Sequence, residues 1–164
     1  MRKQKGFSLI ELLIVVAIIL IIAAIAIPNL LRSRIAANEA SAVGSVRTLN
    51  TAEVTYASTY PDLGFTCSLA RMGPPSGSSS ATSTSAGLVD AVLASGVKSG
   101  YTFALTGCTA AGSTTINVTY QSTGVPTAAG QTGQRAFCSD QSGVIKYDAG
   151  GNGANCLTGS TALQ

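Results

Sequence analysis

Residues Gly6 to Ile27 read G-F-S-L-I-E-L-L-I-V-V-A-I-I-L-I-I-A-A-I-A-I. No Gly, Pro or Asn follows Gly6 within this run, and from Leu12 to Ile27 every residue is apolar. At about 1.5 Å per residue, Phe7 to Ile27 predicts a helix of roughly 30 Å, the thickness of a bilayer's hydrocarbon core. Glu11 is the exception. It sets a carboxylate about one turn into the apolar helix. A charge there costs on the order of 2.5–3.5 kcal/mol at the bilayer centre, so an acid so placed is a functional candidate in need of a partner.

Upstream stand Arg2, Lys3 and Lys5, with no acid among them. By the positive-inside rule they hold the N-terminus in the cytoplasm and send the C-terminus out. The whole chain has ten basic and seven acidic residues, a formal charge of +3, and these three leader residues account for all of the excess. The remainder is balanced, so no basic stripe points to nucleic acid. A length of 164 residues leaves room for one small domain beside a membrane helix.

A short basic leader ending in Gly6, Phe7 directly after it, Glu11 four residues on, the apolar run and then Pro28 together resemble the N-terminus of type IV prepilins, members of the type IV filament superfamily. The resemblance covers roughly the first third of the chain. It implies that a prepilin peptidase cuts between Gly6 and Phe7, on the cytoplasmic side. The apolar helix then stays in the mature protein, whereas an ordinary secretory signal is cut after its apolar region. It also implies N-methylation of Phe7. An α-amine such as the one freed on Phe7 ordinarily titrates at about 7.7–8.0 and is mostly cationic near neutrality. The resemblance implies that Glu11 meets this amine on a neighbouring subunit during assembly. At ~4 Å and an effective dielectric near 20, such a pair is worth roughly 4 kcal/mol, which offsets much of the cost of burying Glu11. A lone glutamate at the rim of a single-span anchor is the plainer reading. It leaves the leader and Gly6-Phe7 unexplained.

Pro28 predicts a kink, since it removes one helical hydrogen bond and clashes with the preceding turn. Arg32 and Arg34 mark the outer membrane edge. From Ile35 the pattern turns amphipathic, with Val43, Val46, Leu49, Ala52 or Glu53, Tyr56 and Tyr60 at spacings of three to four. Asn38, Glu39, Ser45, Arg47 and Glu53 supply the polar remainder. Tyr60-Pro61 ends the helix. From Phe7 to about Tyr60 such a helix is roughly 80 Å long, too long for one bilayer or one small core. Its uncovered part needs other chains, and a heterologous contact repeated without closure gives a filament.

The chain thus divides into a cleaved leader (1–6), a membrane or filament-core helix (7–30), an amphipathic continuation (31–60) and a globular head (61–164). Within the head, Ser76 to Ser85 is a Ser/Thr-rich surface loop and a candidate for O-linked sugar. A short helix is expected over Leu88 to Ala94, capped by Ser85, with Gly96 past its end. Alternation of period two marks strands at Tyr101–Leu105 and Ile116–Tyr120. Two more are read at Arg135–Cys138 and Val144–Tyr147, joined by a turn over Ser139–Gly143. The expected fold is α+β, a long N-terminal helix packed on a small antiparallel sheet of three or four strands. The stretch Gly133 to Asp148 resembles the last hairpin of pilin-like proteins.

Cys67, Cys108, Cys138 and Cys156 all lie in the exported part, and an even count argues for two disulfides. Three pairings are open. We prefer Cys67–Cys108 with Cys138–Cys156, in which the second bridge pins the Gly-rich tail, like the C-terminal disulfide loop of many pilins. Without histidine or C-x-x-C a zinc site is disfavoured. The oxygens of Asp140, Asp148 and Asn152 suit calcium, and turn chemistry accounts for the same residues. Tyr56, Tyr60, Tyr101, Phe103, Tyr120, Phe137 and Tyr147 read as core at helix and strand spacing. Asn117-Val118-Thr119 matches a glycosylation sequon, discounted because it falls inside an expected strand.

No Ser-His or Cys-His pair is possible without histidine, and no Walker-type loop is present. Neither enzyme activity nor a cofactor is expected. The resemblance implies the major pilin of a type IV pilus, polymerising through its N-terminal helix for adhesion, twitching motility or DNA uptake. Its partners would be further copies of itself, the prepilin peptidase/methyltransferase, an inner-membrane assembly platform and a separate ATPase. The precursor would sit in the bacterial inner membrane and the assembled form in a surface filament. The alternative within the superfamily is a pseudopilin of a type II secretion system. A membrane-anchored periplasmic binding module or enzyme is a reading of a different class.

Overall fold

A computed structural model describes residues 7–77, 79–159 and 161–163. The leader residues Arg2, Lys3, Lys5 and Gly6 lie outside the described residues, as does Ser78 of the Ser/Thr loop. The first element, α1, is a single helix of 51 residues, Leu9–Thr59. It holds no glycine before Gly44, and its one proline, Pro28, lies inside it. The chain divides into two compact units at Arg34 and Ile35.

In the first unit the apolar side chains of α1 are uncovered, with Leu9 76%, Ile22 60% and Leu30 71% exposed. Among the described residues this is the one helix long and apolar enough to cross a membrane. The second unit has its own core. From α1 it takes Ala42, Val46, Leu49, Ala52 and Tyr56, at spacings of three and four that keep one stripe inward. From the sheet it takes Tyr101, Phe103, Leu105 and Phe137, with Ile145 just before the fifth strand.

That sheet is antiparallel with six strands in sequence order. They are β1 (Val97–Lys98), β2 (Tyr101–Thr106), β3 (Gln121–Pro126), β4 (Ala136–Asp140), β5 (Lys146–Asp148) and β6 (Thr161–Ala162). Three short helices accompany it: α2 (Leu69–Met72), α3 (Ala91–Ala94) and α4 (Gly153–Gly159). β1 and β2 join through Ser99 (φ 51°) and Gly100 (φ 73°). Two successive positive φ angles give the mirror-image turn whose twist suits a tight hairpin. β2 alternates as expected, with Tyr101, Phe103 and Leu105 buried.

The sheet corrects several expectations. It is larger than three or four strands, because β1 and β6 add two-residue edges. Ile116–Tyr120 is not a strand of the sheet. Asn117 instead bridges Gly64 and Ala110, and Val118 donates its N–H to Thr109 O. β2 pairs with Gln121–Pro126, where Phe103 lies opposite Gly124. The sequon is therefore not in a strand, but Asn117 Nδ2 donates to Phe65 O at 2.9 Å and holds a connection there. The short helix begins at Ala91, not Leu88. Asp90 caps it, accepting from Leu93 N at 3.0 Å. The N–H groups of Leu88 and Val89 are already taken by Met72 O. Part of the Ser/Thr loop is tied down: Thr82 and Ser85 form a bridge, and Tyr56 OH donates to Ser83 O at 2.6 Å.

Candidate assembly site

Phe7 and Glu11 both lie at the start of α1. Phe7 is 75% exposed and precedes the helix. Ser8 is the residue before its first turn, and its N–H donates to Glu11 Oε2 at 2.9 Å. Serine followed three residues later by glutamate is the spacing of a capping box. Glu11 therefore has a role inside its own chain, satisfying one of the orphan donors of the helix start. The sequence reading missed this, although the Ser8-Leu9-Ile10-Glu11 spacing carries the signal. Among the described residues the second oxygen, Oε1, has no hydrogen-bond partner, so Glu11 keeps an acceptor for another group.

Pro28 does not stop α1, which continues for 31 residues beyond it. Its missing N–H leaves the Ala24 carbonyl without a helical donor. The four cysteines form two bridges, Cys67–Cys108 and Cys138–Cys156, each with Cα atoms 5.9 Å apart. The second ties α4 to β4.

Three of the residues read as polar remainder are buried, Ser45 and two acids. Glu39 is 7% exposed and Glu53 0%. Glu39 Oε1 accepts the backbone N–H groups of Gln134 (2.9 Å) and Arg135 (3.0 Å), and Oε2 accepts Arg135 Nε (2.9 Å) and Nη2 (2.7 Å). Burial alone would raise its pKa, but these hydrogen bonds and the guanidinium outweigh it and hold the carboxyl below its ordinary value. The Arg135 guanidinium also lies over the rings of Phe137 (5.5 Å) and Tyr147 (5.4 Å). This group clamps α1 to the residues that lead into β4. Among the described residues Glu53 Oε2 accepts only Thr66 N–H, at 2.9 Å, and Oε1 is buried without a partner. Burial pushes its carboxyl up to about 7, against the smaller opposing effect of the Thr66 bond.

Asp140 and Asp148 do not converge on a cation. Asp148 sits opposite Ala136 in the β4–β5 pairing, which leaves Asp140 roughly 13 Å away along the strand. Asp140 instead accepts Ser142 N–H at 2.8 Å and Asp148 accepts Asn152 N–H at 2.8 Å. Both act in turns.

Over residues 1–27 the chain matches the family model of the prokaryotic N-terminal methylation motif. It is 67% identical over 39 residues to the type IV wide pilus major component PilA4 of Thermus thermophilus, a match covering 24% of this chain and 30% of that protein. It is 45% identical over 54 residues to the type IV major pilin protein PilA of Myxococcus xanthus, covering 33% of this chain and 24% of that one. A fimbrial protein of Pseudomonas aeruginosa is 38% identical over 113 residues, 61% of this chain and 73% of the relative. No solved structure matches. The chain thus spans less than a third of the first two relatives and nearly three quarters of the third. The match to the fimbrial protein is more than twice as long as α1. A shared membrane anchor does not account for it, and the chain belongs to the type IV pilin family.

Proposed function

We propose that this chain is the major subunit of a type IV pilus, a surface filament serving adhesion, twitching motility or DNA uptake. The observation that carries the reading is the uncovered N-terminal part of α1 next to the methylation motif. An apolar surface of that extent needs a cover. In the precursor the cover is lipid, with the leader in the cytoplasm. In the filament it is the helices of other copies. Residues 1–6 are the leader, 7–30 the filament core, 31–60 the helix that enters the head, and 61–164 the rest of the head.

A prepilin peptidase cuts between Gly6 and Phe7 and methylates Phe7. Glu11 then meets the Phe7 amine of a neighbouring subunit through the oxygen that Ser8 leaves free. Pro28 kinks α1 near the end of the core segment. An inner-membrane platform and a separate ATPase drive assembly, since the sequence has no nucleotide-binding loop. The relatives are structural pilins, and no catalytic step is assigned.

Glu11→Ala tests the reading. The variant stays in the membrane at wild-type level, while its share in sheared surface fibres falls at least about tenfold, in line with a lost pair of a few kcal/mol. Normal fibres from Glu11→Ala would contradict the role of Glu11. Wild-type chain confined to the envelope would contradict the pilus and favour a secretion pseudopilus.

A further inference from the structure

We propose that a groove on the exposed face of α1 is a contact between copies of this chain, in which Arg47 of one copy pairs with Asp62 of another. The inference rests on the filament reading and assigns it a contact within the head. It starts from the charges of the second unit. Lys98 pairs with Asp90 (2.9 Å), Arg135 with Glu39 (2.7 Å) and Lys146 with Asp140 (3.8 Å). Among the described residues of this unit, the cations left over are Arg47 and Arg71. The acids left over are Asp62, Asp148 and the buried Glu53. Asp148 is half-buried and already accepts Asn152 N–H. Arg47 and Asp62 are exposed, and among the described residues neither side chain has an ion-pair partner.

Arg47 lines a groove of about 310 Å³ with Thr48, Thr51, Ala52 and Thr55 of α1 and Leu88 opposite. The hydroxyls on this face are turned back onto the helix. Thr48 donates to Gly44 O (3.1 Å), Thr51 to Arg47 O (3.1 Å) and Thr55 to Thr51 O (2.8 Å). Ser58 and Thr59 do the same one turn further on, each at 2.8 Å. With their donors satisfied internally, these residues leave no hydroxyl donor unpaired when water is excluded. Arg47 is the exception, and it needs an acid once the groove is covered.

Asp62 follows the end of α1, roughly 20 Å further along the helix axis than Arg47. The two half-contacts thus lie at different heights on one subunit. Copies inserted in the same direction satisfy them by a shift along the axis, a heterologous contact that does not close on itself and so propagates a filament.

Charge reversal in the full-length chain in its own cell tests the pairing, with the mass of sheared fibre as readout. Arg47→Glu and Asp62→Arg each lower the yield by about fivefold or more. The double variant Arg47→Glu with Asp62→Arg recovers to within about twofold of wild type. Arg71→Glu with Asp62→Arg does not recover. A double reversal no better than its singles, wild-type yields from the singles, or rescue by Arg71→Glu would each overturn the proposal. If a reversal depletes the membrane pool, the neutral variants Arg47→Gln and Asp62→Asn carry the test. Their double is then no worse than either single, and additive losses overturn the pairing. Wild-type chain found in no sheared fibre would instead sink the pilus reading itself.

Discussion

Glu53 is a carboxyl with one hydrogen bond and no exposure. Its pKa is raised from 4.5 to about 7 by burial. The folded chain therefore keeps this proton over a range in which the unfolded chain has lost it. The stability it contributes is whole below the unfolded value, shrinks as pH rises and is gone above the folded one. The size is on the order of 3 kcal/mol. Glu39 behaves oppositely, because its depressed pKa confines its loss of stability to pH values below the ordinary carboxylate range. We predict that the urea midpoint of the detergent-extracted chain falls from about pH 5 to about pH 8, and that Glu53→Gln removes most of that fall. A midpoint that holds steady or climbs over this range would contradict it. Burial of these two acids was poorly legible in the sequence. Charge argues for solvent, and only position spoke against it, since Glu53 falls in register with Val46, Leu49 and Tyr56. The partners that permit burial, Thr66 and Arg135, lie elsewhere in the chain.

At the scale of elements, legibility followed how local each cause is. α1 was readable because an unbroken apolar run decides it, and β2 because its alternation survives in the structure. β3 was not readable. Gln-Ser-Thr-Gly-Val-Pro has little strand propensity, and its place is set by its partner. A Cβ on Gly124 would stand 2.9 Å from Phe103 Cε1, so the ring needs a glycine opposite. Gly124→Ala is predicted to cost about 1–3 kcal/mol, read as a lower urea midpoint. An unchanged midpoint would show that Phe103 moves freely. Asp90 displaced Ser85 as helix cap because it sits directly before the turn it serves. The disulfides are the other tertiary constraint. Removing Cys138–Cys156 by paired serine substitutions is predicted to cost about 3 kcal/mol and to loosen α4 first, visible as faster proteolysis of the tail. Equal protease resistance with and without the bridge would contradict that order.

The whole molecule is governed by a helix whose apolar N-terminal part is uncovered. The N-terminal part of α1 is exposed along its length, and a soluble monomer would not keep such a surface. This need for cover was legible from the length of the apolar run alone. The Ser8–Glu11 contact was less so, because a carboxylate one turn into a membrane helix draws attention to an external partner and away from the N–H beside it. One oxygen of this side chain serves its own helix start, and in the proposed filament the other is the one left for assembly. The most direct measurement is the intact mass and N-terminal sequence of this chain in two fractions, sheared surface fibres and membranes. The account predicts fibres built from a chain that begins at methylated Phe7 and is four hydrogens lighter than its reduced form, as two disulfides require. A chain that still begins at Met1 in cells with an active peptidase, or a mature chain absent from the fibres, would contradict it.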